Sequence, residues 1–163
     1  MDSQYARYGL AYRKFVRAQY EETQKLLKEK GIKAIDLYRG VKNKDKYIQF
    51  PQGKADEAIE CSILLQPQSA FTTHPPKAFD FAGSDSGVVF KVTVPVERCL
   101  STALSGVGCL DEHEVTVLGG PPQPAIAYYA KYWEDRKGKV GRSSSKLWKS
   151  LGVPRRISLL FLS

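Results

Sequence analysis

The clearest β-strand in this chain is the stretch VVFKVTVPV at residues 88–96, which is dominated by β-branched and aromatic residues. A second strong strand, EHEVTVL at residues 112–118, follows a glycine-bearing loop. Shorter strand-like pieces lie at residues 35–38 and 69–73. Many short strands without alternating long helices predict a largely antiparallel sheet.

A long helix is predicted before the first strand. From Tyr5 to Leu27, aromatic and aliphatic residues recur at i+3/i+4 spacing while charges occupy the opposite face, and Gly31 follows as a typical C-terminal stop. We expect this aromatic stripe to lie in the core. The sequence therefore predicts the α+β class, with an N-terminal helix packed on a mostly antiparallel two-sheet β-core.

Three further segments complete the prediction of secondary structure. Pro75 and Pro76 open a short helix that extends through Ala82, because proline is tolerated in a first helical turn. Residues 55–60 suggest a helical turn, and residues 101–108 suggest a loop. Residues 125–134 are compatible with a short helix or with another strand, and their aromatic content leaves both open.

The net positive charge of this chain comes from its C-terminal end. Eight of the 25 Lys and Arg residues lie in residues 136–163, which contain no acid, and the remaining 17 balance all 17 Asp and Glu residues. We therefore expect a neutral catalytic or binding body at residues 1–135 and a basic, flexible tail at residues 136–163. This split excludes a protein that is basic throughout, such as a histone-like packer.

The cysteines and histidines give no sign of a metal site or a disulfide scaffold. Cys61, Cys99 and Cys109 form no CxxC pair, and only His74 and His113 accompany them. We expect reduced thiols and no metal. The N-terminus shows no secretory signal and no apolar run approaches the ~20 residues of a membrane span, so we expect a cytoplasmic monomer without a membrane segment.

Three short motifs contain residues suited to chemistry. Arg39 ends the first strand beside Gly40. An arginine presents a fork of donors that fits phosphate, and the glycine would let a ligand approach the backbone. The stretch SAFTT at residues 69–73 brings hydroxyls and an aromatic ring to the next strand. The stretch EHE at residues 112–114 places two carboxylates on one side of a predicted strand, where their repulsion costs stability.

Taken in this order, the motifs resemble the R-S-E class of mono-ADP-ribosyltransferases, the branch that includes cholera toxin and the actin-modifying clostridial binary toxins. The matching stretches are IDLYRG at 35–40, SAFTT with the following AFDFA at 78–82, and EHE at 112–114. The strands at 88–96 and 112–118 look especially like those of bacterial and phage-encoded members. The resemblance spans residues 35–120, about half of the chain.

The resemblance implies that NAD is the substrate and that ADP-ribose is transferred to a target, with protein arginine favoured. Glu114 would stabilise the ribose cation and Glu112 would hold or deprotonate the acceptor. Arg39, next to Tyr38 and Gly40, would clamp the diphosphate.

The same resemblance assigns the nicotinamide ring and the central hydroxyl. Phe71 or Phe81 would stack on nicotinamide. In relatives a serine precedes the aromatic residue and orients the catalytic glutamate, but here that position is Ala70. The hydroxyl would then come from Ser69 after a register shift, or from Thr72.

Other functions stay open from the sequence. The same fold could modify RNA or DNA, with residues 136–156 contacting the phosphate backbone. Water could serve as the acceptor, which would make the protein an NAD glycohydrolase. A different class is a non-catalytic virion or assembly module that binds DNA through the basic tail.

Overall fold

The computed structural model describes residues 3–43, 45, 48, 58–83, 86–106 and 108–132. Within them the chain forms two helices and seven strands. The helices are α1 Ser3–Glu29 and α2 Pro75–Ala82, and the strands are β1 Ala34–Val41, β2 Ile59–Ile63, β3 Gln68–Thr72, β4 Val88–Pro95, β5 Cys99–Thr102, β6 Glu114–Leu118 and β7 Gln123–Tyr129.

The strands pair throughout as antiparallel neighbours in the order β2-β7-β4-β1-β3-β6-β5. The predicted α+β class and antiparallel sheet are confirmed. The expectation of two separate sheets is corrected, because the ladder is continuous across β1 and β3. The two halves nevertheless meet at one residue pair, Tyr38 with Thr72, whereas β1 and β4 share eight pairs.

The core lies where β4 and β1 run through the middle of this sheet. Strand β4 is buried along most of its length because it has β1 on one edge and β7 on the other. The main apolar cluster includes Leu27 of α1, Leu37 of β1, and Val92 and Val94 of β4. The strand predicted most clearly from the sequence therefore lies inside the sheet, with a paired neighbour on each edge.

Helix α1 is longer than the surface on which it packs. Its second half contacts β5 and buries Thr23 and Leu27 completely. In its first half, Tyr12 is 59% exposed and Phe15 is 49% exposed. The prediction that the aromatic stripe lies in the core is therefore wrong for these two residues.

Helix α2 packs against β1 at a glycine. A Cβ on Gly40 would lie 1.7 Å from the carbonyl oxygen of Ala78, so the two backbones touch at this point. The helix begins at Pro75, as predicted, and buries Ala78, Phe79 and Ala82.

Three other predictions change. Residues 59 and 60 belong to β2 rather than to a helical turn, because they pair with β7. Residues 101 and 102 belong to β5 rather than to a loop, because they pair with β6. The alternative left open for residues 125–134 is decided in favour of a strand, β7, as far as residue 129, and a 3-10 helix, Ala130–Tyr132, follows; residues 133 and 134 lie outside the described residues. The boundary at residue 135 and the basic tail at 136–163 lie outside the described residues.

Candidate functional site

A cleft of ≈ 280 Å³ opens where the two halves of the sheet meet. The single pair between Tyr38 and Thr72 joins β1 to β3, and Thr72 in turn pairs with Glu114 on β6. These two pairings bring the arginine motif of β1 beside the glutamates that precede and begin β6. The lining residues are Tyr38, Arg39, Gly40, Ala70, Phe71, Thr72, Phe81, Glu112 and Glu114.

The structure places eight of the nine predicted site residues around this cleft, and Ser69 is the exception. Ser69 is buried, and it does not line the cleft, although Phe71 on the same face of β3 does. Ala70, which was not predicted, lines the cleft in its place. The expected register shift that would bring Ser69 to the site is absent, because Ser69 pairs with Val117 in an unbroken ladder.

Thr72 uses its hydroxyl to connect two backbone segments. Its Oγ1 donates a hydrogen bond to the carbonyl oxygen of Glu112 at 2.5 Å and accepts one from the backbone N–H of His74 at 2.9 Å. Among the described residues, neither Thr72 nor Ser69 contacts the carboxylate of Glu114. The Thr72 hydroxyl therefore positions Glu112 through its main chain and leaves the orientation of Glu114 to another group.

That group is a backbone amide. The N–H of Cys109 donates to Oε2 of Glu114 at 2.9 Å, while the N–H of Glu114 donates to the carbonyl of Cys109 at 3.2 Å. The carbonyl of Glu114 also accepts from the N–H of Ala103 at 2.9 Å. The loop before β6 thus holds the carboxylate and both backbone groups of Glu114. Sequence reasoning missed this contact, because a backbone donor has no residue signature.

The same loop is tied to α1. The hydroxyls of Ser105 and Thr23 lie 2.7 Å apart, and Ser105 also lies 2.9 Å from the hydroxyl of Thr102. Thr23 and Thr102 are both buried, so these polar groups satisfy one another away from solvent. Helix α1 consequently supports the loop that orients Glu114.

Glu112 and Glu114 both line the cleft, but not because they alternate along a strand as predicted. Strand β6 begins at Glu114, so Glu112 lies in the turn before it and strand alternation does not apply. His113 between them has a φ of 52°, in the left-handed region that few residues other than glycine and asparagine adopt. His113 ends the turn at residues 110–113. Both glutamates line the cleft, and both are half-buried.

Arg39 lies on the β1 wall of the cleft. Its guanidinium carbon stands 5.8 Å from the ring centroid of Phe71, a cation–π distance. Phe71 itself is only 3% exposed, whereas Phe81 on α2 is 48% exposed. The buried ring of Phe71 thus contacts the guanidinium of Arg39, and the exposed ring of Phe81 is the one that a ligand can contact.

Gly40 has a packing role that the sequence did not reveal. The predicted reason for this glycine was close approach of a ligand to the backbone. The space that its Cβ would take is filled by the backbone of Ala78 and Ala82 in α2. Gly40 lines the cleft, but close helix packing is what requires a glycine there.

Two histidines lie beside the cleft and were not assigned to the site from sequence. The rings of His74 and His113 are stacked, with centroids 5.1 Å apart and planes 21° from parallel. Burial lowers the pKa of each ring below 6.5, and Lys77 lowers the pKa of both further. Both rings are therefore neutral at pH 7.

Within the described ranges, no group of three or more His, Cys, Asp or Glu side chains is arranged to hold a metal ion. No helix in that part of the chain is both long enough and apolar enough to cross a membrane. No family model, curated protein or solved structure matches this chain.

Proposed function

We propose that this protein is an NAD-dependent mono-ADP-ribosyltransferase with the fold of that family and that protein arginine is its acceptor. The observation that supports the proposal is one cleft that gathers Arg39 from β1, Phe81 from α2, and Glu112 and Glu114 from the turn that leads into β6. A cation on one wall and two carboxylates on the other suit a substrate with a diphosphate at one end and a developing positive charge at the other.

The reaction breaks the bond between C1′ of the ribose and the nicotinamide nitrogen. The bonding electron pair leaves with nicotinamide, which departs neutral, and positive charge develops on the ribose. A carboxylate that is already held in place stabilises this charge without reorganising. Glu114 suits the role, because the amide of Cys109 fixes one of its oxygens at 2.9 Å and leaves the other for a ribose hydroxyl.

Arg39 and Phe81 would bind the rest of the substrate. The guanidinium, supported by Phe71, presents donors to the diphosphate. The exposed ring of Phe81 offers a face for nicotinamide. The cleft volume of ≈ 280 Å³ is close to the lower end of small-molecule sites, about 300–1,000 Å³, so it suits the nicotinamide ribose half of NAD.

Glu112 would serve the acceptor. An arginine guanidinium must lose a proton as its nitrogen bonds to C1′, and a neighbouring carboxylate can hold the guanidinium and take that proton. Glu112 is half-buried in the same cleft, and its carbonyl is held by Thr72. This division assigns bond cleavage to Glu114 and transfer to Glu112.

The test compares Glu114→Gln and Glu112→Gln with the wild type, using labelled NAD and a cell lysate. Glu60→Gln is the matched control, since Glu60 is an exposed carboxylate on β2 away from the cleft. Glu114→Gln should lower nicotinamide release by about 10²–10³-fold. Glu112→Gln should lower transfer to protein more than nicotinamide release. If the wild type releases no nicotinamide even at high enzyme concentration, the proposal fails.

A nucleic acid acceptor is the second candidate, and one observation favours it. A separate cleft of ≈ 380 Å³ at the end of α1 is lined by Lys25, Lys28 and Lys33, with Glu97 as its one acidic residue. Among the described residues these lysines form no ion pair. Lysines in an open groove suit a phosphate backbone, and binding through them would weaken steeply with salt.

Nuclease treatment of the lysate separates the acceptors. Label that survives RNase and DNase but not protease indicates protein, and the opposite result indicates nucleic acid. Nicotinamide release without labelled product would indicate a glycohydrolase. Salt-dependent DNA binding with no NAD cleavage would indicate the non-catalytic module.

A further inference from the structure

The two histidines of this chain meet between the segments that hold the candidate glutamates. His74 follows β3 directly and precedes α2, while His113 separates Glu112 from Glu114. Their stacked rings are 5.1 Å apart, although 38 positions separate them in the sequence. They are the two histidines in the protein, so the pair accounts for every imidazole that the chain contains.

Two hydrogen bonds join the segments that carry the rings. The N–H of Thr73 donates to the carbonyl of His113 at 3.1 Å, and Thr72 Oγ1 donates to the carbonyl of Glu112. The turn itself is closed by the N–H of His113, which donates to the carbonyl of Leu110 at 3.1 Å. We call residues 110–113 the Glu112 turn. The stacked rings therefore lie at the one place where β3 holds this turn against the cleft.

The surroundings of the rings disfavour positive charge. Lys77 on α2 lies near both rings, and each ring lies near the other. Asp80 on α2 faces His74 and Asp111 on the turn faces His113, and both partly offset this effect. The Nδ1 atom of His74 is buried without a hydrogen-bond partner among the described residues.

Two protonated imidazoles in this arrangement would place like charges about 5 Å apart in a partly buried setting, where their repulsion is poorly screened. Separation of the rings would pull on the bonds from Thr73 and Thr72 to the Glu112 turn. Glu114 would be less affected, since Cys109 and Ala103 hold it from the other side.

We infer that His74 and His113 are positioning residues that hold Glu112 in the cleft until both rings become protonated, so that acidification releases the Glu112 turn and stops transfer before it stops NAD cleavage. The effect on activity rests on the proposed function. The release of the turn does not, and it can be measured without NAD.

The first measurement is an NMR titration of the full chain between pH 8 and pH 5. The two ring signals should titrate below pH 6.5, and the amide signals of Thr73 and His113 should move with them. His74→Phe keeps a flat ring in the stack but carries no proton, so the amide of Thr73 should stay in place on acidification. If the rings titrate at or above pH 6.5, or if the two amides do not follow them, the inference is overturned.

The second measurement is the ratio of transfer to nicotinamide release at pH 7.5 and pH 5.5. In the wild type this ratio should fall between pH 7.5 and pH 5.5, and below the lowered pKa of the pair it should fall further, by up to tenfold for each pH unit. In His74→Phe the ratio should fall less than in the wild type, because a protonated His113 then faces a neutral ring rather than a second positive charge. Equal falls in both proteins would overturn the positioning role.

His113→Asn distinguishes the ring from the backbone. Asparagine tolerates the left-handed conformation that His113 adopts, so the turn can form without the stack. Transfer by this variant should be lowered already at pH 7.5 and should depend little on pH. An absence of NAD cleavage in every variant, together with the expected NMR titration, would reject the proposed function and leave the histidine inference in place.

Discussion

The close contact between Gly40 and helix α2 leads to a quantitative prediction for Gly40→Ala. The added Cβ would lie 1.7 Å from the carbonyl oxygen of Ala78 and 2.8 Å from the amide nitrogen of Ala82. Both atoms belong to the backbone, so no side-chain rotation relieves the overlap. To restore an ordinary contact of 3.4 Å, the helix must retreat by about 1.7 Å.

Overpacking of this kind costs about 1–3 kcal/mol, and alanine recovers about 0.4–1 kcal/mol by restricting the unfolded chain. We expect the free energy of unfolding to fall by about 1–2 kcal/mol. For a chain of 163 residues this corresponds to a fall in Tm of about 2–8 °C. The retreat of α2 also moves Phe81, so the KM for NAD should rise.

Thermal unfolding followed by circular dichroism measures the stability change, and Gly9→Ala is the matched control. Gly9 lies in α1 with nothing within 4 Å of its Cβ position, so alanine there should leave the Tm unchanged or raise it slightly. If Gly40→Ala melts within 1 °C of the wild type, α2 does not lie against β1 as described and the reasoning is refuted.

Three other expectations concern packing, reactivity and binding. Leu27→Ala should lower the free energy of unfolding by about 2–5 kcal/mol in urea denaturation, because Leu27 is fully buried, whereas Leu10→Ala should change it by less than about 0.5 kcal/mol. Thiol labelling at pH 8 should modify the exposed Cys109 rapidly and should spare Cys99. Cys99 is spared because burial raises the pKa of its thiol to about 12. Rapid labelling of Cys99 in the folded protein would contradict its buried position. Phe81→Ala should raise the KM for NAD at least as much as it lowers kcat; an unchanged KM would exclude Phe81 from the nicotinamide site.

Stability should also depend on pH through the histidine pair. Both rings have a folded-state pKa below the unfolded value of 6.5, so the unfolded chain binds more protons as the pH falls. The stabilising contribution of the neutral pair is complete above pH 6.5. It is lost as the pH falls through the lowered folded-state pKa values of the two rings. Urea denaturation between pH 7.5 and pH 5 should show a steeper loss for the wild type than for His74→Phe. Parallel curves would contradict the expectation.

Local sequence patterns predicted the elements that carry strong periodicity. The strands at β4 and β6, both helices and the segment of β3 follow from residue type and from turn signals, within one or two residues at most ends. Strand β5 escaped prediction because Cys99–Thr102 is short and rich in small residues, and its strand character comes from pairing with β6. Residues 59 and 60 of β2 were predicted to belong to a helical turn. Their strand character also comes from pairing, in this case with β7, which lies more than 60 residues later in the chain.

In the candidate site, too, local patterns predicted some features and contacts between distant segments decided the others. Motif spacing identified Arg39, Glu112 and Glu114, but it placed Glu112 on a strand where the structure has a turn. It offered Ser69 as a hydroxyl donor, and the register of β3 turns that side chain into the core. It did not find the amide of Cys109 or the stack of His74 on His113, because both are contacts between segments.

The sequence by itself determined the residue types available for chemistry, the α+β class and the confinement of excess charge to residues 136–163, since these depend on composition and on patterns a few residues long. Only the tertiary structure decided which side chains of β3 reach the cleft, how much of α1 is covered and what holds Glu114. A strand that slips by one residue exchanges its two faces, and the pairing that prevents this slip involves partners far away in the chain. The single pair between Tyr38 and Thr72 is the point where that long-range pairing creates the cleft.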